Sequence, residues 1–250
     1  MNATTDAIAQ KLETIGSYRI VFLGDSLTST EWVHPNWREI VEYVLKEEFA
    51  NELNDWKLAS WGIRCFNAGF DGSTTADWLK LLETEVIALK PDMVMVMGSS
   101  NDAWHGLDPT GSRANLSTVI SRLRKADVGK IVYSTSHTFT GDRAPKKYAP
   151  YAAVARQLMQ RYESRDDVMF IDMAKAFATY DLERFYTFVE AHNDPLTHVV
   201  AGETDTTHPN KVGQAYIAKL FLKLVFDIDF DPPTYLHNLS SNHKYPGYRK

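Results

Sequence analysis

Five short apolar runs alternate along this chain with longer stretches whose apolar residues recur every three or four positions. This alternation limits the possible folds more than any other feature. The runs are RIVFLG (19–24), RCFNAG (64–69), DMVMVMG (92–98), KIVYSTS (130–136) and VMFIDM (168–173). After the first come Trp37, Ile40, Val41, Val44 and Leu45, and after the second Trp78, Leu82, Val86 and Leu89. Leu116, Val119, Ile120 and Leu123 follow the third, and Tyr151, Val154, Ala155, Leu158 and Tyr162 the fourth. Val212, Tyr216, Leu220 and Leu224 form the last such group. Each group has helical spacing. Strands alternating with helices imply βαβ units, and so a parallel sheet with helices on both faces. The 92–98 run is apolar on both faces, as the middle of such a sheet requires.

The length and chemistry agree with that reading. The 250 residues contain no internal repeat, low-complexity tract or linker between 17 and 226. One domain over 1–226 is expected. A tail, 227–250, rich in Pro, Asn and aromatics, would then pack on the domain or on a partner subunit, which leaves a homodimer open. The formal net charge of −5 gives no basic patch for nucleic acid. No apolar run reaches membrane-spanning length. The single cysteine, Cys65, has no partner for an internal disulfide and reads as a small buried hydrophobe in the second strand. The first residues, MNATTDAIAQKLETIGSY, lack the basic start and apolar run of a secretory leader, so a cytoplasmic protein is expected.

Open parallel sheets bind ligands beyond the carboxyl ends of their strands. There the sequence places GDSLT after the first strand, NAGFDGSTT after the second, SSND after the third and His137-Thr138 after the fourth. Each alone is ordinary turn composition. Together they face one rim, and TDTTHPN (204–210) adds an acid three residues before a histidine. A serine hydroxyl such as Ser26 needs a base, for which His208 is suited, and that imidazole needs a carboxylate on its other nitrogen, for which Asp205 is suited. An oxyanion would need donors, and the Ser26 and Gly72 N–H groups and the Asn101 amide are candidates.

Read in order, GDS at 24–26, a glycine after the second strand, Asn101-Asp102 and Asp205-x-x-His208-Pro209 resemble the SGNH hydrolases, also called the GDSL family. The blocks run from Gly24 to Asn210. The resemblance implies a flavodoxin-like three-layer α/β/α sandwich and an esterase with Ser26 as nucleophile, His208 as base and Asp205 as orienting acid. It further implies an oxyanion hole of Ser26 N–H, Gly72 and Asn101. Gly72 is preferred to Gly69 because the family block reads approximately Asn-x-x-x-x-Gly-x-Thr, which Asn67 to Thr74 fits. One departure is visible: the family's third block usually reads Gly-x-Asn-Asp, whereas here Ser99-Ser100 precede Asn101, with Gly98 one place early.

The expected activity is hydrolysis of small, short-chain esters, carbohydrate O-acetyl groups among them. Three other readings remain: an acyltransferase with the same triad, a metal-dependent phosphoesterase built on Asp25, Asn101, Asp102 and His208, and a non-catalytic carbohydrate-binding protein. No metal-ligand spacing such as HExxH occurs, and neither a metal nor a cofactor is expected. No GxSxG elbow of the other common serine-hydrolase type occurs either. Asp25, Trp104, His137 and Phe139 lie on the rim as substrate-binding candidates, with a turn-tying role favoured for Asp25. His34, in a second His-Pro-Asn stretch, reads as a helix-start residue; in both stretches proline is expected at the first helical position. Residues 177–204, with His192 and His198, have no clear period and read as a wall or lid over the rim.

Overall fold

The computed structural model describes residues 2–141, 143–194 and 200–241. The strands are β1 (Tyr18–Gly24), β2 (Ile63–Gly69), β3 (Met93–Gly98), β4 (Lys130–Thr135) and β5 (Val168–Ile171). They form one sheet in the order β2-β1-β3-β4-β5, every neighbouring pair parallel. Successive side chains of a strand point to opposite faces. β1 accordingly sends Ile20 and Phe22 into one core and Val21 and Leu23 into the other. β3 divides itself the same way, with Met93, Met95 and Met97 on one face and Val94 and Val96 on the other.

Ten α-helices accompany the sheet among the described residues. The methionine face carries α1 (Ala3–Ile15), α2 (Trp37–Glu52), α3 (Trp56–Gly62), α8 (Met173–Phe177), α9 (Lys211–Phe226) and α10 (Pro232–Ser241). The valine face carries α4 (Thr75–Leu81), α6 (Pro109–Lys125) and α7 (Arg143–Met159). The short α5 (Ser100–Trp104) sits on the rim after β3. This is the three-layer architecture that the alternation implies. The tail contributes Phe230 and Tyr235, 3% and 5% exposed, to the methionine-face core; residues 242–250 lie outside the described set.

Three local expectations need correction. Proline does not open either helix. Asn36 caps α2, its side chain accepting from the Glu39 amide, and Asn210 caps α9, accepting from the Val212 and Gly213 amides. In each His-Pro-Asn stretch the asparagine oxygen satisfies otherwise unpaired helix N–H groups, which displaces proline to the position before the cap. Second, the apolar spacing from Trp78 to Leu89 is not one α-helix. After α4 the chain widens into a π turn over Leu82–Val86 and tightens into a 3₁₀ turn over Ile87–Leu89. The Arg122 guanidinium takes the Leu79 carbonyl there, at 3.0 Å. Third, residues 177–204 are not merely a surface wall. Phe177 and Phe185 are wholly buried and form, with Tyr180 and Tyr216, a cluster of tilted and edge-to-face rings. Aromatic packing, not a regular element, orders 180–186.

The sheet order reverses between β1 and β3, which puts the carboxyl ends of these strands side by side at a crevice.

Candidate active site

Ser26 lies in the turn that leaves β1. Asp25 holds that turn from inside: it has no solvent exposure, and its Oδ1 accepts from the Leu27 amide at 3.0 Å. Asn36 holds it from outside, donating its amide to the Thr28 carbonyl at 2.9 Å and the Ser29 carbonyl at 2.6 Å. The neighbouring loop is tied to the same place, because the Phe70 amide and the Ser73 hydroxyl both donate to the Gly24 carbonyl at 3.1 Å. Ser26 Oγ is left half-buried and faces His208 Nε2 at 2.9 Å.

His208 and Asp205 share one turn. Asp205 Oδ2 meets His208 Nδ1 at 2.6 Å, while Oδ1 accepts from the Thr207 amide at 2.6 Å and the His208 amide at 3.0 Å. An ionised carboxylate can only accept, so Nδ1 carries the proton and Nε2 is free to accept from Ser26. Burial works to raise the Asp205 carboxyl. The hydrogen bond and charge of His208, with the two backbone amides, outweigh it and hold the group below the usual carboxylate range. The turn is anchored by Asp205 N–H donating to the Phe188 carbonyl at 2.9 Å and Thr140 N–H donating to the Thr206 carbonyl at 3.2 Å. Asn210 adds bonds to the Arg184 carbonyl at 3.0 Å and to Thr187 Oγ1 at 2.9 Å.

Of the remaining predicted donors, Gly72 lies in the turn after β2 and Asn101 in the short α5 after β3. Asn101 Nδ2 donates one hydrogen to the Ser73 carbonyl at 3.1 Å, which seats its amide beside Gly72 and leaves a second hydrogen. Gly72 has φ +67°, and its N–H has no acceptor among the described residues. Gly69 is different, since its N–H already donates to Asn67 Oδ1 at 2.9 Å. The departure in the third block also has a structural counterpart. Ser99 occupies the place of the pattern's glycine and takes a left-handed φ of +86°. Gly98 before it has φ +138°, and a Cβ there would stand 2.6 Å from Asp25 Oδ2. The turn is kept, and its left-handed residue is a serine.

Several rim candidates lie elsewhere than on an open surface. Asp25 and His137 have no exposure and Phe139 only 4%, so none can meet a substrate directly. His137 is enclosed by Phe139, Phe177 and Tyr186, with its Nδ1 3.0 Å from the Tyr186 hydroxyl, and burial pushes it down to about 4. Trp104 stays half-buried on the rim under the Lys147 ammonium, 4.3 Å from its ring. The phosphoesterase grouping is not assembled either. Both Asp102 oxygens are taken by Thr75, its N–H at 2.8 Å and its hydroxyl at 2.7 Å, and Asp25 faces inward. Among the described residues no three metal-ligating side chains gather around one point. His34 pairs with Glu39 at 3.0 Å on the surface and is not joined to Ser26. Cys65 is half-buried in β2, and burial raises its thiol. His198 lies outside the described residues.

Two neighbours of the site escaped the sequence reading. Trp32 lies flat on the His208 ring, with centroids 3.8 Å apart and planes 5° apart. Glu190 sits on a short antiparallel pairing with 203–204, and burial and the nearby Asp205 raise its carboxyl. No sequence period could signal either contact.

Asp25 also makes a test of the turn. Burial lifts its carboxyl to about 6 despite the Leu27 amide, the charge of His208 and the Ser100 hydroxyl. A raised folded value means that the native state holds this proton more tightly than the unfolded chain. The stability it supplies is therefore present at acid pH and lost as pH rises from about 4 to 6. Asp25→Asn keeps an acceptor for Leu27 and removes that loss. Its melting temperature should vary less across this window, and it should be more stable at pH 7 by about 2 kcal/mol. A variant less stable than the native chain at pH 7 would refute this account of the turn.

The fold and the site thus define a parallel-sheet α/β protein with a serine, histidine and aspartate joined at the carboxyl ends of its strands. The chain belongs to the GDSL-like lipase/acylhydrolase family, whose model matches residues 22–216. It is accordingly a carboxylic ester hydrolase. It is 25% identical over 227 residues to an acetylxylan esterase of Geobacillus stearothermophilus, covering 82% of this chain and 92% of that protein. The fold is shared with a lipase/acylhydrolase from Enterococcus faecalis, at TM-score 0.60 and 24% identity, over 83% of this chain and 95% of that one. It is shared too with a catalytic mutant of an acetylxylan esterase from Geobacillus stearothermophilus, at TM-score 0.59 and 20% identity, over 82% and 93% of the two chains. Among the described residues no helix is long and apolar enough to cross a membrane.

Proposed function

We propose that the chain hydrolyses short-chain esters, carbohydrate O-acetyl groups among them, through an acyl-enzyme on Ser26. The observation that carries this reading is the unbroken chain Ser26 Oγ, His208 Nε2, His208 Nδ1, Asp205 Oδ2, with contacts of 2.9 and 2.6 Å. His208 takes the Ser26 proton as Oγ attacks the ester carbonyl. Asp205 fixes the tautomer and stabilises the imidazolium that forms. The Ser26 and Gly72 N–H groups and the free Asn101 hydrogen are the donors available to the oxyanion. His208 then gives its proton to the departing alcohol, and water releases the acid by the reverse sequence. An acetyl preference is favoured by the acetylxylan esterase among its relatives.

A fluorophosphonate probe tests the reading without assuming a substrate. It should attach at Ser26 alone, and an acyl-length series of p-nitrophenyl esters should fall off beyond acetate. Attachment at another residue, or none in a protein that turns over esters, would remove the proposed nucleophile.

A further inference from the structure

We infer that Trp32 is a positioning residue whose indole keeps the His208 imidazole aligned for water attack after Ser26 has been acylated. The inference rests on the acyl-enzyme reading above and goes beyond it.

The indole's place is not explained by core burial. Trp32 is 43% exposed, on the connection from β1 to α2, yet it stacks face to face on an imidazole whose side chain is only 13% exposed. The connection is not loose, since Asn36 closes it onto the Thr28 and Ser29 carbonyls. Trp32 is therefore carried by the same short stretch that carries Ser26.

The hydrogen bonds to His208 explain why a face contact matters. Both lie in the ring plane, one to Asp205 at Nδ1 and one to Ser26 at Nε2. In-plane bonds resist rocking of the ring weakly; a parallel aromatic surface resists it directly. In the free protein both bonds and the stack act together. Once Ser26 Oγ is an ester it has no proton to donate, and the bond at Nε2 is lost. Among the described residues, the Asp205 hydrogen bond and the Trp32 stack are then what hold the ring. Water must attack the acyl carbonyl while giving its proton to Nε2. As the bond from carbonyl carbon to Oγ breaks, that proton passes to Oγ and the carboxylic acid leaves. The indole face also favours the transient imidazolium, as aromatic faces do for cations. That second effect acts in both halves of the reaction, whereas the loss of the Ser26 bond belongs to the second half alone.

The experiment is rapid mixing of the full chain with p-nitrophenyl acetate, following nitrophenol release, with acid quenching and mass measurement of the Ser26 peptide. In Trp32→Ala the deacylation rate should fall about tenfold and the acylation rate by no more than about threefold, so acetyl accumulates on Ser26. Trp32→Phe, which can still stack, should recover most of the loss. Trp32→Leu, equally apolar but without a ring, should not. Equal losses in both half-reactions, a rise in KM alone, or Leu performing as well as Phe would overturn the inference. Ester turnover by the native protein that continues with Ser26 blocked by a fluorophosphonate would instead overturn the acyl-enzyme reading beneath it, so the two failures are distinguishable.

Discussion

Ser26→Ala is expected to turn over p-nitrophenyl acetate about a million-fold more slowly than the native chain, with its melting temperature almost unchanged. The size follows from the geometry. The side-chain oxygen of Ser26 is the one atom that meets His208 Nε2, at 2.9 Å, and no other hydroxyl is joined to that nitrogen among the described residues. Without it the base has nothing to activate except water, and the oxyanion donors act alone. The stability cost is small because Ser26 is half-buried and its hydroxyl takes no part in holding the turn. Asp25 and Asn36 do that. A change of at most about 1 kcal/mol is expected, the net contribution of the one hydrogen bond to His208 that is lost. Steady-state kinetics beside thermal unfolding check both halves. Retention of even about 1% of native activity would mean that this hydroxyl does not attack the ester.

Asp205→Asn should lower kcat by about four orders of magnitude in a protein that still folds. The substitution is chosen for what it keeps. Asn retains an oxygen for the Thr207 and His208 amides, so the turn survives. It replaces the other oxygen with a donor facing Nδ1. The imidazole must then accept at Nδ1 and carry its proton at Nε2, towards Ser26, where it cannot act as a base. The acid side of the stability profile should change as well. Asp205 has a folded value below its unfolded one, so it contributes stability above the unfolded value and loses it as pH falls through the folded value. The variant should lack that acid-side loss. Native-like kcat measured at pH 8, where carboxylates are ionised, would show that tautomer control by Asp205 is unnecessary.

The sheet was legible because its central strands β1, β3 and β4 are buried on both faces and the strands are separated by helical periods. β3 is the clearest case, with every residue buried. The joining of Ser26, Asp205 and His208 was legible only through the order of short blocks, since 182 residues separate Ser26 from the base. What escaped has a common cause. Trp32 meets His208 through a face contact between distant loops, which leaves no period in either segment. Phe177, Phe185 and Tyr216 pack from segments of different character, so the 177–204 stretch read as irregular although its aromatics are core. His137 and Phe139 follow a strand at the right rim, but the Tyr186 segment covers them, and coverage is a tertiary property. The asparagine caps are written in the sequence, since Asn directly before a helix is a common start whether or not proline precedes it.

The two asparagines also decide how the molecule fails. Asn36 binds the serine turn to the start of α2, and Asn210 binds the segment behind the histidine turn to the start of α9. These two helices are locked together by Trp37 stacking on Phe221 at 4.4 Å and by the Trp37 amide donating to Gln214 at 3.0 Å. The attacking oxygen and the proton acceptor are therefore both tied, through these caps, to the hydrophobic interior. Reactivity is accordingly expected to persist up to the cooperative melt and to disappear with it.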